Sequence, residues 1–399
     1  MGSAARPVGA VGVSALYAAY FAYVGLFSPY ISLWLDRRGL SVGEIAFLLT
    51  LPQALRIVAP PFWGWLADHT GRRVCWLRLS AFGGLMMLGL LPLADRPLEY
   101  GLAILLLSAL TAAQAPIGET LALNLVGGDP GRYGRMRLWG SVGFLLTVAA
   151  GGALLQWLGI QALPLLLVTA MAALVGVTLT LRDAPVTPRS ALRATLGARL
   201  RQPQVIAFLV SAFFMVFAHS GLYTLFSLFL ARQGFQPGVI GALWSVGVVA
   251  ELLLFAGQRV LFARNDPRFL LVLCCVAAAL RFAWIAGVQG SVWALVGAQC
   301  LHALSFALHH SASMALLHQW FEPAQQARAQ SAFVVVSYGL GGVLGGWAAG
   351  WIWAHISPAA VFGGAAVAAA LAALSALLCA RTPHSVAAEA ERHPGGSEA

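Results

Sequence analysis

The sequence predicts an all-α membrane protein of twelve transmembrane helices in two six-helix halves. Three observations predict it. Of 399 residues, 60% are hydrophobic and only 10% charged, with mean hydropathy +0.81, whereas a soluble domain carries roughly 25% charged residues. The apolar residues come in blocks of about 20 or more, the length a helix needs to cross the hydrocarbon layer. The longest polar connection, residues 183–203 with Arg189, Arg193, Arg199 and Arg201, falls at the midpoint with six blocks on each side. That is the layout of a duplicated six-helix unit.

Hydropathy and breaker residues bound the spans in order. The first, 11–35, follows Arg6 as a long aromatic-rich run with no small-residue cleavage site, so it reads as an uncleaved anchor. The second (42–67) runs into a Gly- and Arg-containing loop, and the third (74–94) and fourth (100–124) follow it. Spans 138–158 and 162–182 complete the first half. The second half reads 204–231, 238–263, 268–288, 291–320, 328–352 and 357–381. Gly339, Gly341, Gly342, Gly345, Gly346 and Gly350 crowd the eleventh and predict a close packing seam, because small residues let backbones approach in lipid. The organisation is therefore an N-terminal bundle 1–182, a cytoplasmic linker 183–203, a C-terminal bundle 204–381 and a polar, disordered tail 382–399.

A net charge of +10 invites a nucleic-acid partner, but its distribution excludes one. Every basic residue is Arg, a bias of coding rather than of chemistry, and most sit in short loops on alternate sides of the spans. With both termini inside, cytoplasmic segments hold Arg6, Arg72, Arg73, Arg132, Arg135, Arg182, Arg189, Arg193, Arg199 and Arg201. They also hold Arg259, Arg264, Arg268, Arg328, Arg381 and Arg392, about 16 in all against about 4 outside (Arg37, Arg38, Arg96, Arg232). That asymmetry orients the chain in a bacterial inner membrane with both termini cytoplasmic. Cys75, Cys274, Cys275, Cys300 and Cys379 fall in or at the ends of apolar segments without a CxxC pair, so inert buried thiols are expected and no metal or redox motif is. There is no HExxH and no GxSxG. Neither an enzyme nor a cofactor is implied; the expected partners are the lipid bilayer, a small-molecule substrate and a proton, with the chain a monomer.

Between the second and third spans the chain reads Gly64-Trp-Leu66-Ala67-Asp68-His-Thr-Gly71-Arg72-Arg73. An Asp at a helix end, a Gly turn and two Arg make a charged clasp that holds neighbouring helices in one state and releases them in another, or simply a loop that sets topology. The segment resembles the G-x-L-A-D-x-x-G-R-R signature of the major facilitator superfamily at full match. Gly257-Gln-Arg259 through Arg264 looks like a degenerate second copy lacking the Asp. Tyr133-Gly-Arg-Met-Arg137-Leu-Trp-Gly140-Ser141 and Leu243-Trp-Ser-Val-Gly-Val-Val-Ala-Glu251, with Arg56, His219 and His302, resemble the 3-phenylpropionate transporter family over roughly residues 14–380. That family is related to the lactose permease group of proton symporters. The resemblance implies the major facilitator fold and secondary active transport.

The informative residues are the ionisable ones inside spans, since a charge at the bilayer centre costs roughly 2.5–3.5 kcal/mol on insertion scales. Arg56 lies about fourteen residues into its span, near mid-depth at a rise of about 1.5 Å per residue. His219, Glu251, Arg281 and His302 lie at similar depth on four other spans, which argues for one shared central cavity. Arg56 has no matching acid at its depth on its own helix, Glu44 lying about three turns away, and suits an anionic group. Ala115-Pro116-Ile-Gly-Glu119 followed by Arg137 resembles the lactose permease sugar-binding pair, which implies substrate contact by Arg137 with Glu119 as its partner, and Ser141 and Phe144 on the same wall. The alternative is a salt bridge that stitches two helices.

Glu251 and Arg281 resemble the same permeases' proton-coupling carboxylate and arginine. Desolvation holds a proton on a carboxylate and a nearby arginine releases it, so movement between the two would bind and release a proton. A static ion pair that fixes packing is the plainer reading. Gln299, His302, Ser305 and His309 form one polar stripe on the tenth span. His302 matches the permease histidine, while Ser305 stands where an acid is expected and shifts coupling toward Glu251. Trp244, Glu251 and Gln258 share a face of the eighth span, and with Tyr17, Tyr20 and Phe21 would line an aromatic cavity. The expected cargo is a small aromatic or other monocarboxylate moved with a proton; a neutral sugar or nucleoside, or drug efflux, are the rivals.

Overall fold

The computed structural model describes residues 9–126, 129–183, 197–288 and 290–381. Arg6, Arg189, Arg193, Arg392, most of the 183–203 linker and the whole 382–399 tail lie outside the described residues. Twelve helices are long and apolar enough to cross a membrane: α1 (Ala10–Arg37), α2 (Val42–Thr70), α3 (Arg73–Leu93), α4 (Pro97–Val126), α5 (Gly131–Leu158), α6 (Ile160–Thr180), α7 (Pro203–Arg232), α8 (Pro237–Arg264), α9 (Pro267–Gly287), α10 (Val292–Trp320), α11 (Gln325–His355) and α12 (Pro358–Ala380). A short helix, Gly197–Leu200, precedes α7, and Arg199 in it donates to the carbonyl of Trp320. Among the described residues there is no strand.

Local chemistry sets the helix ends. Ser41 and Glu44 close a capping box at the start of α2, with Ser41 N donating to Glu44 Oε2 at 2.8 Å. The fifth span starts seven residues before the expected 138. Asp129 caps it, accepting from Gly131 N at 2.8 Å and Arg132 N at 3.2 Å, and Pro130 fills the first turn, where no amide donor is needed. Arg132 and Arg135 therefore ride on a helix rather than in a loop.

Several spans are irregular at mid-depth. In α2 the helix stops at Leu55 and resumes at Ala59, because Pro60 and Pro61 cannot donate to the carbonyls of Arg56 and Ile57. In α10 and α11, π-helical turns occupy Ala303–Leu308 and Val335–Gly341. Such turns gather at functional sites, and non-helical backbone survives in a membrane only where it is turned into protein or a wet cavity.

Packing repeats with a six-helix offset. In the first half α1 packs on α5 and α6, α3 on α4 and α6, and α2 on α4; in the second, α7 packs on α11 and α12, α9 on α10 and α12, and α8 on α10. The halves meet along α2–α11, α5–α8 and α1–α7. At the end away from the termini, Arg232 Nη2 of α7 pairs with Asp36 Oδ1 of α1 at 2.6 Å, and Gly238 N donates to Gln156 at 3.2 Å.

The glycine seam of α11 has two sides. A side chain at Gly341 or Gly345 would strike the backbone carbonyls of Phe213 and Phe217 on α7. Gly339, Gly342, Gly346 and Gly350 instead face Ile57, Gln53, Thr50 and Ala46 on α2. Dispersion at backbone contact replaces the hydrophobic force that lipid removes. Replacing Gly345 by Val should force α11 off α7 and cost about 1–3 kcal/mol by overpacking, read as a lower unfolding midpoint in detergent. An unchanged midpoint would show that the α7–α11 contact is not tight.

Candidate functional site

The second half carries a polar network at mid-depth. Glu251 on α8 meets His302 on α10, Nε2 to Oε1 at 2.8 Å, with side chains 19% and 7% exposed. Arg281 on α9 is wholly buried and does not form the expected direct pair with Glu251, although it lies within electrostatic reach of it. Its guanidinium donates instead to Ala298 O at 2.9 Å, to Gln299 Oε1 at 2.6 Å and to Ser305 Oγ at 3.4 Å. A buried charge is costly unless its hydrogen bonds are met, and neutral oxygens of α10 meet them here. Gln299 in turn donates to Leu243 O at 3.0 Å, tying α10 to α8.

His219, expected to contact substrate, is 2% exposed and turned into the bundle. Its Nδ1 donates to Met215 O at 2.8 Å and its Nε2 lies 3.4 Å from Ser305 Oγ. Its ring packs against Phe282 and lies 6.1 Å from that of His302. It therefore packs behind Ser305 and His302. Trp244 is likewise buried, donating to Ser227 at 2.9 Å, and Gln258 accepts from Ser311 at 2.9 Å.

Across the interface, Arg56 sits at the break in α2. Its guanidinium lies 5.6 Å from the centroid of the Tyr338 ring on α11, and among the described residues no hydrogen bond or ion pair holds it. Tyr338 and Tyr223 each lie within electrostatic reach of both Arg56 and Glu251, and Tyr20 lies within reach of both Arg56 and Arg137. Three tyrosines thus link the two halves' charged groups. Residues expected from sequence to share a cavity are brought to the same zone.

Glu119 and Arg137 do not pair. Glu119 accepts from Tyr17 at 2.9 Å and from Tyr133 at 2.6 Å. Arg137 lies over the rings of Phe21, at 4.3 Å, and Tyr17, at 5.4 Å. Tyr17 is buried in this contact. Ser141 and Phe144 follow on α5, both partly buried, and the backbone of Phe144 lies against Gly25.

The loop after α2 forms the clasp. Arg73 Nη2 pairs with Asp68 Oδ1 at 2.8 Å, Gly71 takes φ +67° to end the helix, and Gly64 is partly buried one turn before Asp68. Arg72 is exposed, and Asp183 accepts from Val74 N at 2.8 Å, locking the start of α3 to the end of α6. Two cysteines depart from expectation: Cys75 and Cys300 are exposed, while Cys274, Cys275 and Cys379 are buried. Among the described residues no group of three or more His, Cys, Asp or Glu is arranged for a metal.

Sequence reasoning missed Tyr223, Tyr338 and the role of Tyr133. Tyr338 carried a signal, an aromatic inside the glycine-dense stretch, but only the π-helical turn shows its side.

Known proteins align with this geometry. The family model described as "MFS_1 like family" matches residues 11–363. The chain is 26% identical over 303 residues to a "Probable 3-phenylpropionic acid transporter" of Escherichia coli (strain K12), covering 75% of this chain and 79% of that one. It is 36% identical over 138 residues to a "Maltose permease" of Geobacillus stearothermophilus, covering 33% of this chain and 34% of that one. Among solved structures, the nucleoside transporter NupG superposes with TM-score 0.81 at 18% identity, over 94% of this chain and 99% of that chain.

The tyrosine clamp on Glu119 is testable. A hydrogen bond to a charged group contributes about 1.5–3 kcal/mol, so Tyr133→Phe should lower the thermal midpoint, and pairing it with Tyr17→Phe should lower it further. Wild-type melting in both variants would mean that Glu119 does not need these donors.

Proposed function

The chain belongs to the MFS_1 like family, and from that premise we propose that it moves a small organic acid together with a proton. It is a multi-pass membrane transporter of the major facilitator type and not an enzyme. The cargo we propose is an aromatic monocarboxylate, 3-phenylpropionate-like in size and charge.

The observation that carries this reading is Arg56. A guanidinium at mid-depth with no acid beside it, only the face of Tyr338, leaves its fork open to a carboxylate, which takes two parallel hydrogen bonds. Tyr20, Tyr223 and Tyr338 supply aromatic surface for the cargo's ring. Arg137, Ser141 and Phe144 extend the same wall, with Glu119 held behind it by Tyr17 and Tyr133. A relative bearing the name of a phenylpropionic acid transporter supports the same chemistry.

Glu251 and His302 take the coupling role. A proton on Glu251 removes its charge and weakens its hold on His302, while Arg281, fixed by α10, opposes a second positive charge nearby. Glu251 loads one proton and Arg56 one carboxylate, so the pair crosses without net charge. The halves, 1–182 and 204–381 joined by the 183–203 linker, rock about the site, alternately exposing it. The Asp36–Arg232 pair closes one end in the arrangement described. At the other end Gly64, Asp68, Gly71, Arg72 and Arg73 form the gating loop. We further propose that both termini are cytoplasmic in a bacterial inner membrane, from the arginine asymmetry, and that a monomer suffices.

In proteoliposomes, Arg56→Gln should abolish uptake of labelled aromatic acids at normal expression. Unchanged acid uptake, or uptake of sugars, nucleosides or drugs alone from the same panel, would refute the cargo assignment. Glu251→Gln should lose accumulation driven by a pH gradient yet keep cargo exchange; uphill, proton-driven uptake by that variant would remove Glu251 from the mechanism.

A further inference from the structure

Arginines at the start of α5 face two ways. Arg137 lies over Phe21 and Tyr17. Arg135 precedes it by two residues and Arg132 by five, so at about 100° per residue both lie on the opposite side of the helix. Both are exposed, and among the described residues neither side chain makes an ion pair or hydrogen bond. The nearest acid on the same turn, Asp129, is engaged by the amides of Gly131 and Arg132.

These two cations stand at the rim of a cleft of about 520 Å³ between α1 and α5. Its floor is Ser14, Ala15 and Ala18 of α1, small side chains that leave a trough, and its wall is Trp139, 53% exposed and one turn deeper than Arg135. From Ala10 to Ala18 the trough is about 12 Å long by helical rise. It is cationic at the end of the helices that bears the termini, and apolar from there inward.

We propose that this cleft is a binding site for an anionic phospholipid. The headgroup phosphate lies between Arg132 and Arg135, and one acyl chain runs down the trough past Trp139. Charge complementarity selects this occupant. A zwitterionic lipid would bring a cation to two guanidiniums that no ion pair holds among the described residues, a free anion would leave the apolar trough unfilled, and an acyl chain alone would ignore the rim. The site is separate from the transport pathway, since it lies on the far side of α5 from Arg137, and it does not depend on which cargo the protein moves.

The test uses the full-length protein in zwitterionic phosphatidylcholine nanodiscs, with spin-labelled phosphatidylglycerol or phosphatidylcholine as the probe. An arginine near the surface contributes roughly five-fold to affinity for anionic lipid. The wild type should therefore hold the anionic probe in preference to the zwitterionic one, and Arg132→Gln with Arg135→Gln should bring the two close to parity. Ala15→Phe, which fills the trough and leaves the charges, should also weaken anionic retention. Competition of the bound probe by inorganic phosphate alone would assign the rim to a free anion and overturn the proposal. Equal retention by wild type and the double Gln variant, with native-like circular dichroism, would overturn it too, and so would undiminished retention by the Ala15→Phe variant.

Discussion

Hydrocarbon offers no hydrogen bond to a charge or to an open backbone group, and this constraint organises the whole molecule. The ionisable groups inside the spans are met from within, but by different means. Arg281 is met by a carbonyl, an amide oxygen and a hydroxyl of α10, Glu251 by His302, and Glu119 by two phenols. Arg56 alone among these is met only by a ring face. The three satisfied groups fix helices to one another, while the under-satisfied one lies at the seam between halves. The irregular turns of α2, α10 and α11 fall at the same depth, so the open backbone and the open charge share one environment.

Much of the fold was legible in the sequence because the membrane acts on averages. Span number sums over many residues, and an error at one position does not change the sum. Boundaries were less legible. Asp129 and Pro130 carried the start of α5, but a hydropathy window reads arginines there as loop, so the span looked seven residues shorter than it is.

Which charged residues gather at mid-depth was legible, and which of them touch was less so. The cost of a charge at that depth singles out Arg56, Glu251, Arg281 and His302 in the sequence. Which of them touch depends on side-chain reach and on the phase of α10, and the π-helical turn at Ala303–Leu308 shifts that phase without any mark in the pattern. In place of the expected Glu251–Arg281 and Glu119–Arg137 pairs stand Glu251–His302 and, on other helices, a tyrosine clamp on Glu119. Tyr223 was invisible for a different reason: a tyrosine in a membrane helix is ordinary until its neighbours are known.

The glycines of α11 have a mechanical consequence. Shaved on two flanks, the helix is slender, and its neighbours sit at unequal risk of separation: α7 belongs to its own bundle, whereas α2 belongs to the other. In the rocking motion proposed above, the α7 flank would hold as a weld and the α2 flank would serve as the bearing surface. Inherited changes should divide along that line, with bulk at 341 or 345 spoiling assembly and bulk at 342 or 346 jamming a protein that assembles well.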